Sequence, residues 1–198
     1  EEWFDVGDEG EVGLHSYDWG NTIEPQGIDY LTRFEPMPRW TYSFAGLTLT
    51  RELWLEDEAD AVWIRYSIEG LTVPVNVRLR PLIRCRPIHD LTFANPFMNG
   101  EIEVEHGGSL QVSLHPYEGV PPLVASLHGV SGAFHADGHW YEGVHYAWER
   151  ARGYDDTEDL FTPGEFRVRL EHDGAFCVRL GTSPAKSHEP QVLTSLLS

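Results

Sequence analysis

The sequence predicts an all-β protein, an antiparallel β-sandwich, and three observations carry that prediction. Aromatic residues make up 12% of the 198 residues, beside 19 Gly and 13 Pro, a composition that favours strands and turns over helices. Apolar residues recur at every second position in several runs, which is the period of a half-buried strand. Turn dipeptides separate those runs at short intervals, and hardly any stretch carries the stripe of an amphipathic helix.

Along the chain, Ala45-Gly46 opens the first clear run. Leu47, Leu49, Arg51, Leu53 and Leu55 then share one face, with Thr48, Thr50, Glu52 and Trp54 on the other. Val62, Ile64, Tyr66 and Ile68 alternate with Trp63, Arg65 and Ser67, and Glu69-Gly70 closes that run with a turn. Val73, Val75, Val77 and Leu79 alternate with Asn76, Arg78 and Arg80; Phe166, Val168 and Leu170 alternate with Arg167, Arg169 and Glu171. His106-Gly107-Gly108-Ser109, Asp137-Gly138 and His172-Asp173-Gly174 read as hairpin turns. The segment from Tyr146 to Gly164 is dense in charge and lacks alternation. It reads as a long ordered loop between strands, shaped by Gly153 and Pro163-Gly164. One helix is expected, over Glu189 to Leu197, because Pro190 suits a first helical turn. No internal repeat or low-complexity tract interrupts the chain, which reads as one domain.

Charge narrows the partners. Lys+Arg number 14 against 32 Asp+Glu, a formal charge of −18, and Lys186 is the only lysine. A surface of this sign repels nucleic acid and anionic membranes, while neutral glycans are indifferent to it. The same lysine-poor, acid-rich composition would also follow from high-salt adaptation or a GC-rich genome. No stretch has the length of apolar sequence that a spanning helix needs. Glu1-Glu2-Trp3-Phe4-Asp5 lacks the basic and apolar regions of a signal peptide, and a first residue other than Met reads as a piece of a longer chain. Cys85 and Cys177 have no CxxC spacing and read as free thiols, so the expected location is cytoplasmic.

Chemistry-bearing motifs are few. The glycine-rich phosphate loops, the GxSxG elbow and the HExxH metal motif are all missing. His135 and His139 flank Asp137-Gly138 without a cysteine or carboxylate at zinc-ligand spacing, so no metal or other cofactor is expected. Asp155, Asp156, Glu158 and Asp159 lie beside Arg150 and Arg152. That pattern reads as a loop held by arginine–carboxylate pairs, with Glu149 and Asp159 engaging Arg150 or Arg152, rather than as a catalytic acid pair. Trp140, Tyr141, His145, Tyr146, Trp148 and Tyr154 bring together flat aromatic faces and polar groups, a combination that serves sugar stacking or a domain interface equally well.

Three stretches carry a resemblance. Trp140-Tyr141, Arg152-Gly153 and Glu158-Asp159-Leu160-Phe161-Thr162-Pro163-Gly164 follow in one segment; Pro38-Arg39-Trp40-Thr41-Tyr42 begins a strand; and Arg80-Pro81-Leu82 leads to Leu91-Thr92 and Asn95-Pro96. Together, from about Ile28 to Gly164, they resemble the N-terminal domain of bacterial and archaeal glycogen debranching enzymes. The family's Arg-Asp-Tyr-His run reads Arg86-Pro87-Ile88-His89 here, and its upstream glycine-rich segment is missing. The resemblance implies a supersandwich of the galactose-mutarotase type, preceding an (α/α)6 barrel that removes α-1,6-linked glucose, with or without a glucanotransferase activity. Residues 1–188 would form the N-terminal sandwich, and residues 189–198 would begin a linker toward the C-terminal barrel. It further implies a non-catalytic piece whose partners are that barrel and α-glucan, as glycogen or maltooligosaccharide. Arg86, His89, Trp140, Tyr141 and Tyr146 are the residues expected to face sugar or barrel. Two rival readings are a stand-alone mutarotase-like enzyme, using His89 or His145 as general acid, and a purely structural interface module.

Overall fold

A computed structural model describes residues 1–185, and the helix expected over Glu189 to Leu197 lies outside the described residues. The first strands are β1 (Glu2–Asp5), β2 (Glu11–Gly13), β3 (Tyr17–Asp18), β4 (Ile23–Glu24) and β5 (Leu31–Glu35). Then come β6 (Arg39–Phe44), β7 (Leu47–Leu55), β8 (Ala61–Glu69), β9 (Val75–Leu79) and β10 (Ile102–His106). The last are β11 (Leu110–Leu114), β12 (Leu123–His128), β13 (Gly132–His145), β14 (Thr157–Leu170) and β15 (Gly174–Gly181), with one short helix, α1 (Ala147–Ala151), between β13 and β14. They form a seven-stranded sheet, β2-β1-β9-β14-β13-β3-β4, and an eight-stranded sheet, β10-β11-β12-β15-β8-β7-β6-β5. The fold is the expected antiparallel β-sandwich.

The alternation read from the sequence sets the inner faces. Phe4, Val77, Phe166 and Val168 come from the seven-stranded sheet, and Leu49, Ile68, Val112 and Phe176 from the other; all are buried in one core. Phe4 and Phe44 meet across the two sheets with ring centroids 5.5 Å apart. An ion pair is built into the same interface. Glu2 on β1 takes two bonds from Arg51 Nη1 on β7, at 2.8 and 2.7 Å, and a third from Tyr66 Oη on β8 at 2.9 Å. The Arg51 guanidinium also lies 4.5 Å from the centre of the Trp40 ring. Burial opposes the Glu2 charge, but Arg51 and Tyr66 outweigh it and hold the carboxyl below its ordinary range.

Three segments differ from the sequence reading. His172-Asp173-Gly174 is a turn but closes no hairpin, because it carries the chain from β14 in the seven-stranded sheet to β15 in the eight-stranded one. Residues 157–164 are not loop but the first half of β14, whose residues 158–166 are all buried. A strand covered on both sides has no solvated face and so no alternation to read. Asp137-Gly138 is not a hairpin turn either. It lies inside β13, where the pairing to β14 steps from Ala136 to His139 on one strand and only from Gly164 to Thr162 on the other, a β-bulge. Gly164 on the opposing strand has φ +140, and a side chain there would begin 2.1 Å from the His135 carbonyl oxygen, so the strand passes this point only as glycine.

The β6–β7 hairpin is closed by Ala45 at φ 48 and Gly46 at φ 76. Both central residues of such a turn are left-handed, which suits Gly and is costly for Ala. Ala45→Asn is expected to stabilise the domain by about 1 kcal/mol, or roughly 2–4 °C in Tm, measured by thermal unfolding.

Candidate functional site

Near its N-terminal end β14 carries two adjacent acids that organise two loops. The β9–β10 connection runs along this end of the strand, with Ile83 N donating to Phe161 O at 2.9 Å and Asp159 N to Thr92 O at 2.8 Å. Arg84 and Arg86, two residues apart in the β9–β10 connection, both reach Glu158. Arg84 Nη1 donates to Oε1 at 3.0 Å, Arg86 Nε to Oε2 at 2.8 Å, and Arg86 Nη2 to Oε1 at 3.0 Å. Thr92 N adds a bond of 3.1 Å and Tyr146 Oη one of 2.7 Å. The Glu158 side chain has no exposed surface. Burial by itself would raise its pKa, but these donors, Arg86 first, hold it down to about 2. Tyr146 is pushed the other way, up to about 12, by burial and then by its bond to the Glu158 anion.

Asp159 works through the backbone. Its carboxylate accepts from Ala94 N and Gly143 N, each at 2.8 Å, so it joins the β9–β10 connection to the end of β13. It pairs with no arginine, contrary to the sequence expectation, because those two amides occupy it. Within the β13–β14 connection, Arg150 pairs with Asp156 and also contacts His145, while Arg152 reaches Glu149 at 3.6 Å. Tyr146 N donates to Asp156 O at 2.8 Å, closing the loop around α1, and Gly153 at φ 78 turns the chain after the helix.

The five residues expected on one surface divide into separate environments. Arg86 and Tyr146 meet at Glu158. The remaining Arg86 donor, Nη1, bonds to Pro87 O at 3.1 Å and Ile88 O at 2.9 Å, so its fork is engaged within the chain rather than presented to a partner. His89 is exposed in the turn that Asp90 N closes onto Pro87 O. Trp140 packs edge-on against Phe161 at 5.4 Å. Tyr141, its neighbour on β13, stacks on His139 at 5.1 Å and donates to Glu1 at 2.9 Å. Beside it Arg80 links Glu165 at 2.9 Å to Asp137 at 3.2 Å. Burial opposes the Glu165 charge, yet Arg80 and Arg167 hold its pKa low.

The sequence places Glu158 in a cluster of loop acids held by Arg150 and Arg152, and does not single out Arg84. The spacing of Arg84 and Arg86 was the available signal, since alternate residues of an extended segment project to one side. The wider pattern is the same. The 14 basic residues less Lys186 leave thirteen arginines, and none lies farther than 3.6 Å from its nearest carboxylate oxygen. What the arrangement does chemically follows from this. A glycosidase acid needs a pKa raised toward neutrality, and Glu158 and Glu165 are both shifted the wrong way. Among the described residues, no group of three or more His, Cys, Asp or Glu converges as a metal site would.

Glu158 lowered from 4.5 to about 2 contributes stability that is complete above pH 4.5 and lost as the pH falls through 2. Glu158→Gln leaves Arg84 and Arg86 unneutralised and is expected to cost about 3–5 kcal/mol at pH 7. In urea unfolding, the difference between the native chain and this variant should shrink steadily as the pH is lowered from 5 toward 2.

Comparison with known proteins agrees with this architecture. No curated protein matches the chain. The family model described as "Glycogen debranching enzyme N terminal" matches residues 1–176. With nearly the whole sandwich inside that match, the Glu158 and Asp159 loops included, the chain belongs to the family of glycogen debranching enzyme N-terminal domains.

Proposed function

We infer that this chain is a non-catalytic N-terminal domain of a glycogen debranching enzyme, which seats the catalytic barrel of the parent chain and helps to hold branched α-glucan. The observation that carries this reading is the pairing of saturated acids with exposed apolar side chains at one end of the sandwich. Glu158 and Asp159 fix both neighbouring loops in place, and those loops hold Phe97 and Trp148 out of the core, 79% and 78% exposed. Ile88, Phe93 and Tyr154 on the same two loops are exposed as well. Two loops fixed by buried acids and carrying exposed large apolar groups suit a docked domain, since aromatic and apolar anchors dominate such interfaces. Acids held ionised by arginine do not suit proton donation to a glycosidic oxygen.

The parent activity proposed is α-1,6-glucosidase, in the cytoplasm. The free thiols of Cys85 and Cys177 suit a reducing compartment. No helix among the described residues is long and apolar enough to cross a membrane.

Glucose release from a branched limit dextrin tests the non-catalytic role. The purified chain is expected to release none above the buffer blank. Turnover that disappears when one carboxylate of this chain is replaced by its amide would overturn the assignment.

A further inference from the structure

On the other sheet, remote in topology from the Glu158 loops, a groove of about 620 Å³ is lined by Glu35 to Arg39 and by Glu52, Leu53 and Trp54. Its shape follows from the backbone. Pro36-Met37-Pro38 forms the tip of the β5–β6 hairpin, and Leu53 N donates to Pro38 O at 3.0 Å, which holds the tip against β7. Trp54 is one of the lining residues. It is backed by Trp63, the two rings lying within 5° of parallel at 6.3 Å, so the platform is braced from one side. Met37 stands exposed at the rim.

The polar groups are few and ion-paired. Arg39 Nε donates to Glu52 Oε1 at 2.9 Å, Arg39 Nη1 lies 3.7 Å from Glu35, and Arg65 Nη1 lies 3.5 Å from Glu52. The lining holds two carboxylates and one guanidinium, with Arg33 and Arg65 pairing the same carboxylates from outside it, and the chain as a whole carries −18, which disfavours an anionic ligand. Paired carboxylate oxygens still have free lone pairs, and a half-exposed guanidinium still has free N–H groups. The groove therefore offers an apolar lining that includes Trp54 and a short row of fixed acceptors and donors. A pyranose has the matching chemistry, with an apolar C–H face and a ring of neutral hydroxyls, and the volume lies in the range of small-molecule sites.

We propose that this groove is a saccharide-binding site that takes an α-linked glucose oligomer, with Trp54 as the stacking platform and Glu35, Arg39 and Glu52 bonding to hydroxyls. The choice of α-glucan rests on the function proposed above. The site itself is separate from the barrel-facing loops, and it puts glucan on the flank of the sandwich, where a chain could be held while its end is worked on elsewhere.

The test titrates maltoheptaose into the whole chain and maps protection by tryptophan oxidation with N-bromosuccinimide, read by mass spectrometry. Trp54 should be protected, its oxidation slowed severalfold at saturation, while exposed Trp148 reacts at an unchanged rate. Trp54→Ala should weaken binding by about tenfold, and Trp54→Phe should restore most of it. If Trp54→Ala fails to fold, Arg39→Ala takes its place, and the footprint on the unaltered chain decides without either variant. Protection of Trp148 with Trp54 unprotected would overturn the groove while leaving glucan binding by the domain intact. No binding of maltoheptaose would overturn it too, and would leave the non-catalytic assignment to the limit dextrin assay.

Discussion

A carboxylate withdrawn from water has to recover from the protein the hydrogen bonds that it lost, and the geometry at one end of this sandwich follows from how Glu158 does so. Five bonds from two arginines, one tyrosine and one amide converge on it, and they come from two separate connections of the chain. Removing both arginines would leave the charge buried and uncompensated, which is the costly half of a buried ion pair, and removing a neutral donor would leave a lone pair unmet. The β9–β10 connection and the segment around α1 thus have one arrangement in which the anion is satisfied. Asp159 extends the same constraint through two amides, without needing a cation.

The Glu2–Arg51–Tyr66 contact applies similar logic between the sheets. A purely apolar interface tolerates sliding of one sheet over the other, since dispersion and area burial are non-directional. A fully bonded carboxylate permits only one register. With 32 acids to 14 bases, arginine is the scarce partner in this chain, and the thirteen arginines are all used in ion pairs. The unpaired surplus of acids is what gives the surface its sign. That surface has no free arginine cluster with which to meet phosphate, whereas a neutral polyol needs none.

These constraints also separate two kinds of surface on the molecule. Around Glu158 the carboxylates face inward and are fully bonded, and the loops they fix carry large exposed apolar groups among exposed polar ones. At the β5–β6 hairpin the polar groups stay part-exposed beside an indole. The first suits contact with another folded domain, and the second suits a hydroxyl-rich ligand. In both, Trp residues are central, but composition treats them alike.

The sequence by itself determined the fold class and most of the regular strands. The run Leu47 to Leu55 coincides with β7, and the runs near Val62, Val75 and Phe166 lie in β8, β9 and β14. Alternation reports these because each has at least one stretch with a wet face. Gly107-Gly108 closes the β10–β11 hairpin as read, because turn chemistry is local, whereas Asp173-Gly174 turns the chain from one sheet to the other, since the partners of β14 and β15 are set by the tertiary fold. The N-terminal half of β14 and the bulge at Asp137-Gly138 were decided only by tertiary structure. The first is buried on every side, so no solvent-driven pattern marks it, and the second depends on which strand lies opposite. Arg86 and Tyr146 were legible as candidates, but not their common partner: Glu158 is 72 residues from Arg86 and 12 from Tyr146, and only the sheet brings them together. The engagement of the Arg86 fork within the chain has the same origin, since hydrogen-bond partners are set by distance in space and not along the sequence.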